Sequence, residues 1–201
     1  MKKLSGIFNI VIFLFLLIGC QERNEPTRDA PLDNFFANTE LNYGEYVVIF
    51  EDVVARAHAM GLEDKSLEKW VIRALGDEKL SNKRDLTQDE ALKIAKENLA
   101  ENQAWIIVAN EKYDVKVSEE ELDQWISEGP DQSEIPQQKA FADALELSLV
   151  ELNHEFDREL YKQTLLWEKL IPVLEKKYET EDQEALLDKF MKQVDKEASS
   201  I

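Results

Sequence analysis

From Tyr46 to Val194 the apolar residues return mainly at spacings of three and four, and alternation in twos is confined to the brief runs Tyr113–Val117 and Leu145–Leu149. A period near 3.6 lines one face of a helix, whereas a half-buried strand needs a period of two. With six glycines and five prolines in 201 residues, little interrupts that pattern. The chain is therefore expected to be all-α, and its apolar stripes must be buried by packing helix on helix.

Tyr46, Phe50, Val53, Ala57 and Met60 form the face of a first helix, closed by Gly61. Leu67, Trp70, Val71, Ala74 and Leu75 predict a short second helix stopped by Gly76. Thr87 with Glu90 is a capping-box pair. Behind it Leu92, Ala95, Leu99, Ile106, Ala109 and Tyr113 share a face on which polar Asn102 also falls. Trp105, Ile107 and Val108 widen that face, so the C-terminal half of this helix is expected to lie deeper. Ser118 with Glu121 opens a short helix through Leu122, Trp125 and Ile126, and the prolines and glycine of residues 128–136 predict a loop. Phe141, Leu145 and Leu149 belong to the next helix. Asn153 is expected to cap a long one carrying Leu160, Thr164, Trp167, Ile171, Leu174 and Tyr178, with a kink at Pro172. Thr180 with Gln183 is expected to start the last helix, whose apolar residues are Leu186, Leu187, Phe190, Met191 and Val194.

The first twenty residues follow a different rule. Lys2 and Lys3 precede an uncharged run that ends in Leu17-Ile18-Gly19 and then Cys20, the one cysteine of the chain. A positive start, a short apolar core and small residues before the cut describe a signal peptide over residues 1–19. That core is too short to cross a bilayer, which takes about 20 apolar residues. Leu-Ile-Gly-Cys resembles the bacterial lipobox, in which the cysteine thiol takes a diacylglycerol and becomes the new N-terminus. Lipidation at Cys20 would place the mature chain on the extracytoplasmic face of a membrane, held by acyl chains. A Gram-positive plasma membrane is favoured, although Gln21 also permits outer-membrane sorting in a Gram-negative cell. Residues 20–34, rich in charged residues and proline, read as a tether spanning roughly 20 Å as a coil. The helical domain then occupies residues 35–201.

The leader carries two of the 24 basic residues and none of the 42 acidic ones, which leaves the mature side chains at −20. Such a surface disfavours nucleic acid and anionic lipid head groups. It suits either attraction of basic clients or simple solubility. With Cys20 lipidated, no disulfide, thiolate nucleophile or cysteine–zinc site is expected. His154-Glu155 matches the start of the His-Glu-x-x-His zinc helix, but the position of the second histidine holds Arg158. His58 lies on the flank of the first helix. Glu119–Glu121 and Glu181, Asp182 and Glu184 fall in first turns of helices, where carboxylates stabilise the macrodipole. No cofactor, metal or enzymatic activity is expected.

The segment from Tyr113 to Ile126 (Tyr-Asp-Val-Lys-Val-Ser-Glu-Glu-Glu-Leu-Asp-Gln-Trp-Ile) resembles the N-terminal chaperone region shared by the foldases SurA and PrsA. Val117, Ser118, Glu120, Glu121, Leu122 and Asp123 match that pattern without gaps. Phe141, Leu145, Leu149 and Leu152 continue it, followed by a long helix with Leu160, Leu165, Leu166, Lys169 and Leu170 and a restart at Thr180-Glu181-Asp182. Coverage is about residues 88–197. The parvulin-type isomerase domain of those foldases has no counterpart here, since only Glu179 and Thr180 separate the long helix from the last. Leu41-Asn42-Tyr43-Gly44-Glu45 stands in place of the family's usual entry, and Leu67–Gly76 is an elaboration.

The resemblance implies an orthogonal multi-helix assembly that cradles unfolded or exported polypeptides without ATP. Trp105, Tyr113, Trp125, Phe141, Leu145 and Trp167 are the expected lining of its peptide groove. The implied role is a chaperone or assembly factor lacking isomerase activity; the alternative is a module that recruits one fixed envelope partner. Changing Cys20→Ala is expected to release the protein from the membrane fraction while leaving its helical circular-dichroism spectrum intact. A variant that stays firmly membrane-bound would contradict lipidation.

Overall fold

A computed structural model describes residues 41–201; the signal peptide and tether expected over residues 1–34, and Cys20 with them, lie outside the described residues. Among the described residues eight α-helices succeed one another. They are α1 (Tyr43–Ala59), α2 (Lys65–Ser81), α3 (Gln88–Tyr113), α4 (Glu119–Glu128), α5 (Pro136–Ala144), the single turn α6 (Leu149–Glu151), α7 (Arg158–Tyr178) and α8 (Gln183–Ala198). A 3₁₀ turn at Pro130–Gln132 precedes α5, and a π-turn at Leu152–Phe156 joins α6 to α7. No strand occurs among them, as the spacing of apolar residues predicts.

Most helices start where a side chain satisfies the free N–H groups of the first turn. Asn42, Thr87, Ser118 and Ser148 do so in reciprocal boxes with Glu45, Glu90, Glu121 and Glu151. Asp64 and Asp182 cap α2 and α8 with their carboxylates. Gly61, at φ +62°, supplies the left-handed residue after α1. Asp114 and Glu179 take the same conformation at the ends of α3 and α7 without being glycine.

Four expectations need correction. Phe141 and Leu149 do not share a helix: α5 ends at Ala144, Leu145 is its C-cap, and Leu149 opens α6. Gly76 does not stop α2: it is buried in mid-helix, and α2 runs to Ser81. A glycine there costs about 1 kcal/mol, which burial of Leu75 and Leu80 on the same element outweighs. Asn153 is not a cap. Ser148 starts the helix five residues earlier as the N-cap of α6, and Asn153 sits fully buried in the π-turn. Thr180 does not cap α8 either; its hydroxyl accepts from the Asp182 N–H at 3.2 Å, and Asp182 accepts from Ala185.

Two apolar cores result. The first gathers α1, α2, the start of α3, α5 and the π-turn around Phe50, Val53, Val71, Ala95, Phe141 and Leu152. The second gathers the end of α3, α4, α7 and α8 around Trp105, Val108, Leu122, Leu166, Leu170 and Phe190. Only α3 contributes a long run to both, and α7 enters the first core through Leu160 and the second from Tyr161 onward. Between the cores Asn102 of α3 donates to Gln163 of α7 at 3.3 Å, both side chains being buried. The polar position on the α3 stripe thus marks where that helix passes from one core to the other. The deeper C-terminal half expected for α3 is also present, in Ala104, Trp105, Val108 and Ala109.

Candidate functional site

The start of α7 concentrates the buried polar chemistry of the molecule. Arg73 of α2 is 3% exposed and lies between the rings of Trp70 and Phe156, its guanidinium carbon 4.7 and 5.1 Å from their centroids. Its Nη2 donates to the Phe156 carbonyl at 2.5 Å and to Asp157 Oδ1 at 2.8 Å. Asp157 immediately precedes α7 and is itself buried, so a guanidinium 84 residues away in sequence supplies its counter-charge. Burial pushes the Asp157 carboxyl up from its ordinary value while Arg73 pulls against it. One turn along α2 from Arg73, burial raises Asp77 to about 7, opposed by Arg73 and reinforced by Glu78.

Beside this pair the π-turn places two consecutive side chains that both reach Asp131. Asn153 points inward, where its carbonyl oxygen accepts from Gln138 Nε2 at 2.8 Å and from the Tyr161 hydroxyl at 2.9 Å. Its Nδ2 donates to Asp131 Oδ1 of the 3₁₀ turn at 2.8 Å. His154 faces Asp131 and Asp123. An α-helix would point residues 153 and 154 about 100° apart in a register fixed by its neighbours; the wider π-turn resets that register. Burial raises the Tyr161 phenol, with Asp157 adding to the push, so it stays neutral.

Outside this junction, carboxylates of α4 are clamped by cations of α7. Glu119 accepts from Arg158 at 2.7 Å and Lys162 at 3.3 Å, Glu121 from Lys169 at 2.8 Å, and Asp123 from Arg158 at 2.6 Å. Hydrogen bonds from Arg158 hold Glu119 and Asp123 below the usual carboxylate range, and one from Lys169 does the same for Glu121. Such groups stay ionised and do not serve as general acids near neutrality. Among the described residues no group of three or more His, Asp or Glu is placed to hold a metal ion. None of the described helices is long and apolar enough to cross a membrane.

The six residues expected to line one groove divide between the two cores. Phe141 and Leu145 belong to the first, where Phe141 is fully buried 4.8 Å from Phe50 and 5.4 Å from Phe156. Trp105, Tyr113, Trp125 and Trp167 belong to the second. Trp105, 2% exposed, packs edge-on against Trp167 and Phe190 at 6.2 and 4.9 Å. Tyr113 and Trp167 flank Phe190 from its other sides and keep part of their surface in solvent. Trp125 does so as well, tilted against Tyr161 at 5.8 Å with its indole N–H 3.3 Å from Glu168. Trp105 and Phe141 are thus core residues, whereas Tyr113, Trp125 and Trp167 offer aromatic surface.

A separate hollow of about 470 Å³ opens over Val48, Ile49, Asp52, Arg56, Lys79 and Asp85. Val48 is 67% exposed there. Its polar wall is made by Arg56 and Lys79, which meet Asp85 at 3.0 and 2.7 Å. Nothing in the spacing of these residues announces the hollow, because Val48 falls off the apolar stripe of α1 and Asp85 lies in the α2–α3 link. No family model matches this chain, and no curated protein or solved structure is similar to it.

Because Asp77 binds its proton more tightly in the folded chain than its ordinary value of 3.8 allows, the folded state holds a proton that the unfolded chain releases between about pH 4 and 7. Stability from this group is full below pH 4 and is lost as pH rises to 7. Asp77→Asn should therefore melt increasingly above the wild type from pH 4 to 7, with a constant gap beyond. A gap independent of pH in thermal scans would refute the buried acid.

Proposed function

We propose that this chain is a membrane-tethered, ATP-independent chaperone or assembly factor. It holds unfolded or partly folded exported polypeptides, is anchored by acyl chains on Cys20 at the extracytoplasmic face, and has no prolyl isomerase activity. The SurA N-terminal type of fold is part of the same proposal. The all-helical architecture is compatible with it. The observation that carries it is that Tyr113, Trp125 and Trp167, spread along the length of α7 around the second core, are each part-exposed. Aromatic faces with a polar tip bind varied apolar segments at low entropic cost, as a promiscuous holder requires. The buried Trp105 packs edge-on beneath Trp167, whereas Phe141 lies in the other core and touches no client.

A second reading, a module dedicated to one envelope partner, is favoured by the hollow on α1. Its exposed Val48 beside a fixed arrangement of Asp52, Arg56, Lys79 and Asp85 has the mixed apolar and charged character of a specific contact. The two readings separate in one set of assays. A holder suppresses aggregation of several unrelated unfolded clients near one-to-one stoichiometry. Trp125→Ala should weaken that suppression by roughly three- to tenfold, the effect of a contact worth ~1 kcal/mol, with an unchanged circular-dichroism spectrum. A dedicated module leaves those clients to aggregate, captures one dominant partner from envelope extract, and loses it on Val48→Glu. Failure on every client would overturn the chaperone reading.

A further inference from the structure

Both ring nitrogens of His154 face a carboxylate. Nε2 lies 3.0 Å from Asp131 Oδ2 in the 3₁₀ turn, and Nδ1 lies 3.5 Å from Asp123 Oδ1 on α4. A neutral imidazole has one N–H and serves one acceptor; an imidazolium serves both. The two carboxylates are not equivalent. Asp123 already receives Arg158 Nη1 at 2.6 Å, and Arg158 also pairs with Glu119. Asp131 has a side chain only 11% exposed, and among the described residues no lysine or arginine lies within ion-pair distance of it. Its remaining partner is the neutral amide of Asn153. A carboxylate so far from water needs a charge partner, and His154 is the group positioned to be one.

We propose that His154 is a proton-operated clasp: its protonated ring holds the Pro130–Gln132 turn against the π-turn, and loss of that proton loosens the turn. The charged groups facing the ring are Asp131 from the 3₁₀ turn, Asp123 and Glu119 from α4, and Arg158 from α7, with Glu155 next to it in the π-turn. Of these, only the Asp131 contact depends on the histidine for its counter-charge. Arg158 keeps Asp123 and Glu119 in place whatever the ring does. Release is therefore local. The 3₁₀ turn keeps its backbone bonds Gln132 N–H to Gly129 and Ser133 N–H to Pro130 and the Gln132 side-chain bond to Ser127, and is left on the π-turn side with the neutral Asn153 bond to Asp131, while α4 stays clamped on α7.

The sign follows from the proton. The charged ring can donate to both Asp131 and Asp123 and the neutral ring to only one, so the clasp is closed at acid pH and open at alkaline pH. The test uses the full chain. Amide hydrogen exchange of the 129–135 segment, corrected for intrinsic rates, should lose protection by about tenfold between pH 5 and 8, as expected for loss of one charge-assisted hydrogen bond. His154→Gln, which keeps a neutral donor, should show low protection at both pH values. Asp131→Asn, whose neutral side chain needs no counter-charge, should abolish the pH dependence even if the histidine variant folds poorly. Protection that stays constant in the wild type, or pH dependence that survives Asp131→Asn, would overturn the clasp.

Discussion

A guanidinium taken out of water needs groups that replace the water, and Arg73 imposes that demand where α7 begins. Its partners come from two parts of the chain: Trp70 from its own helix, and Phe156 with Asp157 from the end of the π-turn. Through its Nη2 alone, Arg73 ties α2 to the start of α7, its Nε and Nη1 having no hydrogen-bond partner. With that tie made, Leu160 enters the first core and Tyr161, Leu165 and Leu166 begin the second. The position of the π-turn is set with it, and with the π-turn the directions of Asn153 and His154. A buried pair of this kind adds little net stability over an apolar substitute, but losing either partner costs several kcal/mol. Its consequence is the register of α7 against α2.

The two cores cooperate because α3 runs through both, and the buried Asn102–Gln163 bond ties α3 to α7 at the crossing. Around the second core α4 is held on α7 by Leu122 and Ile126 buried beneath it, with Glu119, Glu121 and Asp123 paired to α7 cations at the exposed rim. α8 is held on α3 and α7 by apolar contact through Phe190, Leu186 and Val194. The aromatic surface proposed to meet clients is thus mounted on well-packed helices, which suits binding without large rearrangement.

Helical class was legible because stripes at spacings of three and four survive any tertiary arrangement, and the boxes at Thr87 and Ser118 could be read for the same reason: capping is local. Two boundary errors came from competition among local signals. Asn153 and Thr180 are good capping residues, but Ser148 and Asp182 stand closer to where packing needs the helices to start. At Gly76 a local preference for a stop lost to burial of its neighbours. The groove could not be read at all, since the stripes that carry Phe141 and Trp105 look alike yet enter different cores. A signal was available at Arg73, a cation inside the run Trp70–Leu75 that demanded a buried partner, but Asp157 could be found only through the fold. His154 was read beside Arg158 as a failed metal motif; its carboxylate neighbours come from α4 and the 3₁₀ turn.

Urea unfolding of Arg73→Met, alone and together with Asp157→Leu, tests the placement of α7 most directly. The single variant should lose about 3–5 kcal/mol, the cost of an unpaired buried carboxylate, and the double variant should regain most of it. Both cores should melt in one transition, seen alike by tryptophan fluorescence and circular dichroism. A loss below about 1 kcal/mol in the single variant, with no recovery in the double, would show that Arg73 does not set the register of the fold.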